Sequence, residues 1–349
     1  MIGDQLQLFE TGKPRKIAPN SNTDLEIIKE IASAWRVRGF PHYQLSMNER
    51  MSQIETFTKY DRSKMISGDV IKQTLHALGA VWHYFPHHWE VKVGKMRTAL
   101  DVWNNEELFH KAIASRIKWG GYEINESGNP DMSPSYMRKA LRTFSGVQRV
   151  SNFRPSAAAC IYDQYANNGV VWDMSCGYGG RLLGAMVSDK VSKYIGTEPC
   201  GATYGGLSLM KKDYSYISKT EIELNQVGSE DFVPSEQVDL CFTSPPYFNT
   251  EIYSDEESQS WKRYQTVEFW NNDFLAKTIS NCWESLKDNG HMILNVANVK
   301  SHPALEDDTV KIAKLQGFVY VKTLQLTLSS ITKGGFKYEP VFVFTKEKQ

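Results

Sequence analysis

The chain has 349 residues and a mass of 39.8 kDa, room for one large or two ordinary domains. Its 41% hydrophobic, 12% aromatic and 23% charged residues place it among globular chains and exclude disordered, fibrous and collagen-like readings. The formal charge is zero overall, yet residues 1–150 hold 21 Lys+Arg against 16 Asp+Glu while residues 151–349 hold 19 against 24, an asymmetry that predicts two parts with different jobs.

The opening stretch MIGDQLQLFETGKPRK has no continuous apolar segment of the signal-peptide kind. Nowhere does an apolar run approach the roughly 18 residues of a spanning helix, so a soluble, cytoplasmic protein is expected. Residues 1–149 read as a mainly helical domain. Thr23-Asp24-Leu25-Glu26 has the form of a capping box, and Leu25, Ile28, Ile31, Ala32 and Trp35 recur at helical spacing before Gly39 and Pro41 stop the run. A second helix is predicted from about Asp69 to Phe85, with Val70, Ile71, Leu75, Leu78 and Trp82 on one face, and a third near Glu106–Trp119 through Leu108, Phe109, Ile113 and Ile117. The turn-rich NESGNPDMSPS of residues 125–135 ends in Ser133 as N-cap and Pro134 in the first turn of a further helix. That helix turns Met137, Leu141 and Phe144 inward and Arg138, Lys139 and Arg142 outward, and Gly146 ends it.

After about residue 150 short apolar runs alternate with amphipathic segments. Val170–Asp173, Tyr194–Thr197, Glu221–Asn225, Val238–Thr243, Met292–Val296, Phe318–Leu328 and Val341–Thr345 read as strands. Helical segments between most of them predict an α/β domain with a mainly parallel sheet covered on both faces, its last strand an antiparallel partner. Five cysteines spaced 16 to 41 residues apart fit neither a disulfide framework nor a zinc pattern, so buried thiols in a reducing compartment are expected.

The first strand of this part runs into Asp173-Met174-Ser175-Cys176-Gly177-Tyr178-Gly179-Gly180 and then the helical RLLGAMVS. Glycine is needed where a strand turns tightly into a helix and a ligand approaches the backbone amides. Glu198 closes the next strand 25 residues after Asp173, where a carboxylate can accept from two ribose hydroxyls. A phosphate-binding turn would need G-x-G-x-x-G or a Walker lysine, and neither is present. Further on, Asp239-Leu240-Cys241-Phe242-Thr243 leads straight into Ser244-Pro245-Pro246-Tyr247 at a strand's carboxyl end, where open α/β sheets bind ligands. Two prolines fix φ and remove two donors, leaving carbonyls beside a hydroxyl and an aromatic face. That set suits a planar base carrying an amino group: Ser244 and the Pro245 carbonyl accept its hydrogens, and Tyr247 stacks on the ring.

Ser-Pro-Pro-Tyr after a strand, behind a Gly-rich turn and an acidic strand end, resembles the S-adenosylmethionine-dependent DNA amino-methyltransferases, which modify cytosine N4 or adenine N6. The resemblance covers about residues 150–349 and takes in Asn152-Phe153-Arg154-Pro155, Ser229-Glu230-Asp231-Phe232 and Glu339-Pro340-Val341-Phe342-Val343-Phe344. It implies a class I, Rossmann-like seven-stranded methyltransferase domain behind the helical one, with S-adenosylmethionine as cofactor. It implies Asn152, Phe153, Arg154, Asp173, Ser175, Cys176, Gly177, Gly179, Glu198, Asp231 and Ser244 as cofactor-binding residues, Asp231 against the adenine ring, and Ser244, Pro245, Pro246 and Tyr247 as the catalytic corner. Family members usually have an aromatic residue at the position of Ser175, so the pocket wall here is built differently. Serine ahead of the prolines is commoner in the cytosine-N4 branch, which puts cytosine N4 first, with adenine N6 and an RNA amine as alternatives, in a setting of DNA methylation or restriction-modification. Double-stranded DNA is the implied partner. The short span between turn and corner leaves residues 1–149 as the candidate target-recognition domain, with Arg138, Lys139, Arg142 and Arg149 as candidate phosphate contacts.

Plainer readings stand beside these. His83, His87 and His88 surround a proline without a matching cysteine or acid, so no metal site is expected. Pro199-Cys200 is similar to the nucleophile of cytosine-C5 methyltransferases, but it follows the ribose-type acid rather than the fourth strand, which favours a structural thiol. Core packing is the expectation for the N-terminal tryptophans. A cofactor-binding scaffold or regulator with a decayed site is the non-enzyme alternative, and the intact Ser-Pro-Pro-Tyr argues against it.

Overall fold

A computed structural model describes residues 22–148, 150–330 and 335–348. The chain divides into two compact units, one of Met1–His42 with Lys95–Arg149, the other of Tyr43–Gly94 with Val150–Gln349. The expected boundary at 149/150 therefore needs correction: residues 43–94 pack with the α/β part. Trp82 and Phe85 share a core with Ala157, Leu182 and Met210.

In the first unit the helices Asn22–Arg38, Ala99–Asn104, Glu106–Ile117 and Pro134–Arg142 bury Ile31, Trp35, Val102, Phe109, Ile113, Met137 and Leu141. Ser133 caps the last of them, its side chain accepting from the Tyr136 amide, as the Ser-Pro signature predicts. The helix includes Asn22, one residue ahead of the start expected at Thr23; Leu25 is exposed and Ile28 is the first buried apolar residue. Trp35 donates to the Met132 carbonyl at 2.9 Å, and Arg38 holds both oxygens of Asp131 at 2.7 and 2.9 Å. Of the N-terminal tryptophans, Trp35, Trp82, Trp89 and Trp103 are buried and Trp119 is exposed.

The second unit is built on a sheet of nine strands among the described residues: β1 (Ile66–Ser67), β2 (Val70–Ile71), β3 (Gly169–Asp173), β4 (Val191–Thr197), β5 (Glu221–Asn225), β6 (Val238–Thr243), β7 (Leu286–Asn295), β8 (Val319–Ser330) and β9 (Phe336–Thr345). Their order is β1-β2-β8-β9-β7-β6-β3-β4-β5. The last seven places of that order are the seven-stranded, Rossmann-like core read from the sequence, with β9 antiparallel to both β7 and β8. The helix predicted over 69–85 breaks up. Val70–Ile71 forms a strand parallel to β8, with Ile71 opposite Leu326, while Leu75 is exposed. Ala77 has φ 54°, outside any right-handed helix, so the helix is confined to Leu78–Trp82.

Alternate residues of the central strands enter two cores. Val171, Tyr194, Leu240, Phe242 and Ile293 pack on one face, and Trp172, Ile195, Cys241, Met292 and Leu294 on the other with Trp270, Ile279 and Leu305. Burial on both faces is why these strands read as continuous apolar runs. The chain runs β3, β4, β5 outward in one direction and returns to place β6 beside β3, Trp172 opposite Cys241. From there β3 connects onward to β4 and β6 to β7, in opposite directions, the switch point at which sheets of this kind bind ligands at the strands' carboxyl ends. No helix among the described residues is long and apolar enough to cross a membrane.

Candidate active site

The turn after β3 is held by one buried carboxylate. Asp173 is fully buried and accepts from Arg181 Nε at 2.9 Å, the Tyr194 hydroxyl at 2.7 Å, Thr243 Oγ1 at 2.8 Å and the Ser175 amide at 3.2 Å. Two oxygens offer about four lone-pair positions, so this group is saturated. It ties β3 to β4 and β6 and shapes the turn; as a direct cofactor ligand it is corrected to a positioning residue. Cys176 is corrected likewise. Its thiol is buried against Tyr194, with its pKa well above the ordinary thiol range through burial, and its amide is used on the Thr197 carbonyl at 2.9 Å. Ser175 and Gly177 remain half-buried after the carboxyl end of β3. Gly177 and Gly179 have φ 54° and 69°, a left-handed backbone that favours glycine at both, and a Cβ on Gly179 would also crowd Met210 Sδ at 2.9 Å.

Asn152 and Phe153 lie against this turn. The Asn152 amide donates to the Tyr178 carbonyl at 2.8 Å, and Gly180 lets the Phe153 carbonyl approach to where a Cβ would be 1.9 Å away. The Phe153 ring packs on Phe242 and under the Arg181 guanidinium, and Arg154 occupies the N-cap of the helix Pro155–Tyr165.

Glu198 directly follows β4 and is 9% exposed. One oxygen accepts the Cys200 amide at 2.9 Å, the other the Gly177 amide at 3.0 Å. Burial raises its pKa to about 7, against the pull of those two amides. Each oxygen keeps a lone-pair direction unused by these bonds, the geometry needed to accept from a vicinal diol. Asp231 lies in the turn Ser229–Asp231 after β5, where Arg263 contacts its carboxylate and that of buried Glu230, both at 2.6 Å.

Ser244, Pro245, Pro246 and Tyr247 follow β6 directly. Ser244, Pro246 and Tyr247 are half-buried and Pro245 is buried. The Tyr247 hydroxyl donates to the Asn295 carbonyl at the end of β7, at 3.2 Å, and Asn295 Nδ2 donates to the Pro340 carbonyl at 3.0 Å. Phe248 adopts φ 53°, a left-handed conformation costly for an aromatic residue, held by its packing on Trp270 and His302. Around the corner stand residues to which the sequence assigned no role in the site. Glu339 faces Tyr247 and Asn295, and Glu251 faces Tyr253; burial raises the pKa of both carboxyls. Tyr178 lies between two of the recognised glycines, and Glu251 four residues past Tyr247, so proximity to the motifs was their one available signal.

Elsewhere the candidates disperse. His83, His87 and His88 bond separately to the Tyr43 carbonyl, Thr203 Oγ1 and the Phe85 carbonyl, and no group of three potential metal ligands occurs among the described residues. Cys200 is buried, burial raises its thiol pKa, and its Sγ contacts Glu256 at 3.5 Å, so it is placed as a structural thiol. In the first unit Arg138 donates to the His42 carbonyl at 3.4 Å. Lys139 is exposed, and its pKa is lowered first by Arg116, then by burial and Arg142, a mark of concentrated positive charge. Arg149 lies outside the described residues.

No protein-family model and no curated protein matches the chain. Among solved structures it is similar to the N-methyltransferase NodS from Bradyrhizobium japonicum, at 12% identity over 51% of this chain and 86% of that one, TM-score 0.38. It is similar also to a methyltransferase from Pyrococcus furiosus, at 12% identity over 60% and 94%, TM-score 0.41. A third is the magnesium protoporphyrin IX methyltransferase from Synechocystis, at 13% identity over 55% and 78%, TM-score 0.39.

Proposed function

We propose that this protein transfers a methyl group from S-adenosylmethionine to the exocyclic amine of a DNA base, cytosine N4 foremost. The observation that carries the reading is the Ser244–Tyr247 corner at the carboxyl end of β6, at the switch point between β3 and β6, with Glu198 directly after the neighbouring β4. The residues present fit such a cofactor. Glu198 has acceptor capacity left on both oxygens, and the buried Tyr178 hydroxyl has no hydrogen-bond partner among the described residues. Gly177, Glu198 and Asp231 would hold the adenosine part, and Asn152 to Arg154 would flank the methionine end. Bound there, the cofactor supplies an electrophilic sulfonium methyl.

The chain's own work is positioning. Ser244 Oγ and the Pro245 carbonyl accept the two amine hydrogens, which draws the nitrogen lone pair out of conjugation with the ring and stabilises the charge that develops on nitrogen. Tyr247, its ring pinned through Asn295, stacks on the base. Orientation supplies most of the barrier reduction, so no strong base is required at the corner. A base within a duplex must be flipped to reach it. The first unit carries 15 basic against 11 acidic residues and holds Arg116, Lys139 and Arg142, which makes it the candidate for phosphate contacts and target recognition.

The test is sequencing of DNA from cells expressing the protein by a method that separates N4-methylcytosine from N6-methyladenine, paired with labelled transfer onto DNA and RNA in vitro. N4-methylcytosine is expected. N6-methyladenine alone would move the specificity, methyl in RNA alone would remove DNA as substrate, and cofactor binding without transfer to either would leave a scaffold.

A further inference from the structure

Beyond the residues that the motifs point to, one carboxyl is placed where the cofactor carries a cation. We infer that Glu251 is the anionic partner of the α-ammonium group at the methionine end of S-adenosylmethionine. The inference rests on the cofactor reading above.

Glu251 opens the short strand Glu251–Ile252, which pairs with Lys92–Val93 and so fixes Glu251 opposite Val93. Its carboxylate accepts from the Tyr253 hydroxyl and faces the backbone of Ser151, the residue directly ahead of Asn152-Phe153-Arg154. A second, independent observation points to a ligand beside it. The Tyr178 side chain is 4% exposed, packs with its ring centroid 6.2 Å from that of Tyr253, and has a hydroxyl with no partner among the described residues. Both Glu251 and Glu198 act electrostatically on that hydroxyl. A buried orphan hydroxyl is costly unless a bound group satisfies it. The order Glu198, Tyr178, Glu251 thus runs from a ribose acceptor past an unused hydroxyl to a second carboxyl.

The charge inventory narrows the choice. A primary ammonium taken out of water needs an anionic acceptor. Asp173 is saturated by four donors, Asp231 is paired with Arg263, and Glu339 lies against Tyr247 and Asn295. Glu251 has no cationic partner among the described ion pairs. Burial first, then Glu339 nearby, raises its pKa above the ordinary carboxyl range, and an incoming ammonium is what would restore it to the carboxylate.

Calorimetric titration of the full-length protein and its E251Q variant with S-adenosylmethionine, S-adenosylhomocysteine and 5′-methylthioadenosine tests this. The second ligand lacks the sulfonium charge and the third lacks the amino acid. E251Q is expected to weaken the first two by about tenfold or more and to leave the third unchanged. Weakening of S-adenosylmethionine alone would assign Glu251 to the sulfonium and overturn the inference. Unchanged binding of all three, or equal loss of all three, would overturn it also. If E251Q does not fold, as judged by its thermal transition, E251D keeps the charge one methylene short, and the same pattern of losses is required of it. Failure of the unaltered protein to bind any of the three would remove the cofactor reading itself.

Discussion

Lowering the pH from 8 to 5.5 should weaken binding of the adenosine part of the cofactor through Glu198. Burial raises its pKa to about 7, while the Gly177 and Cys200 amides, at 3.0 and 2.9 Å, favour the ionised form. Because those amides already use one lone pair on each oxygen, a proton must go onto a lone pair reserved for the ribose. The acceptor pair then becomes one donor and one acceptor. Binding to the ionised form alone loses tenfold in affinity per unit below the pKa, so pH 5.5 should cost about 2 kcal/mol relative to pH 8. The sign is fixed by the direction of the shift: a carboxyl raised in the folded protein is protonated below about 7, so affinity is full above that value and declines beneath it. 5′-Methylthioadenosine, which has no ammonium for Glu251 to meet, titrated calorimetrically at pH 8, 7 and 5.5, in two buffers of different ionisation enthalpy, should show this decline together with release of close to one proton near pH 6. Glu198→Ala should cost about 1.5–3 kcal/mol at pH 8 and flatten the profile. Equal affinity from pH 8 to 5.5 without proton release would remove Glu198 from the ribose site.

Other substitutions test separate parts of the structure. Arg181→Ala leaves the fully buried Asp173 carboxylate without its cation, a change that should lower unfolding stability by about 3–5 kcal/mol in urea denaturation; a loss under 1 kcal/mol would show that the turn does not depend on the pair. Ser244→Ala and Tyr247→Ala should abolish labelled methyl transfer with S-adenosylhomocysteine affinity nearly intact, and wild-type turnover in either would refute the role of the corner. Tyr247→Phe retains the stacking face and loses the hydroxyl's bond to the Asn295 carbonyl and its contacts with Ser244 and Glu339, so transfer should fall by about tenfold, far less than in Tyr247→Ala. Arg116→Glu with Lys139→Glu should weaken DNA binding on every sequence and flatten its salt dependence in band-shift titrations at two ionic strengths; unchanged affinity would leave that face without a nucleic-acid role.

The seven core strands were legible because both faces of the sheet are buried, which writes each as a short apolar run, and the turns between them carry their own punctuation. Val238–Thr243 and Glu221–Asn225 fall where the sequence puts them. Val70 and Ile71 were misread for a related reason. A two-residue strand has no period of its own, and Leu75, Leu78 and Trp82 happen to continue it at helical spacing. What decides the matter is Leu326 on β8, more than 250 positions away in the chain and invisible to a local pattern.

The same distinction separates the site residues. Glycines and prolines declare backbone geometry locally, so Gly177, Gly179 and the Ser244–Tyr247 corner could be found from their own neighbourhoods. A carboxylate's role depends on who reaches it. Asp173 and Glu198 look alike in sequence, each an acid closing a strand, yet Arg181, Tyr194 and Thr243 exhaust the first while two backbone amides leave the second half free. Three of those donors come from different elements: a helix, β4 and β6. The difference between an acid that shapes the turn and an acid available to a ligand is therefore a property of the assembled sheet, and it is why Glu251, whose surroundings come from residues 92–93, 151, 178 and 253, could be recognised only after folding.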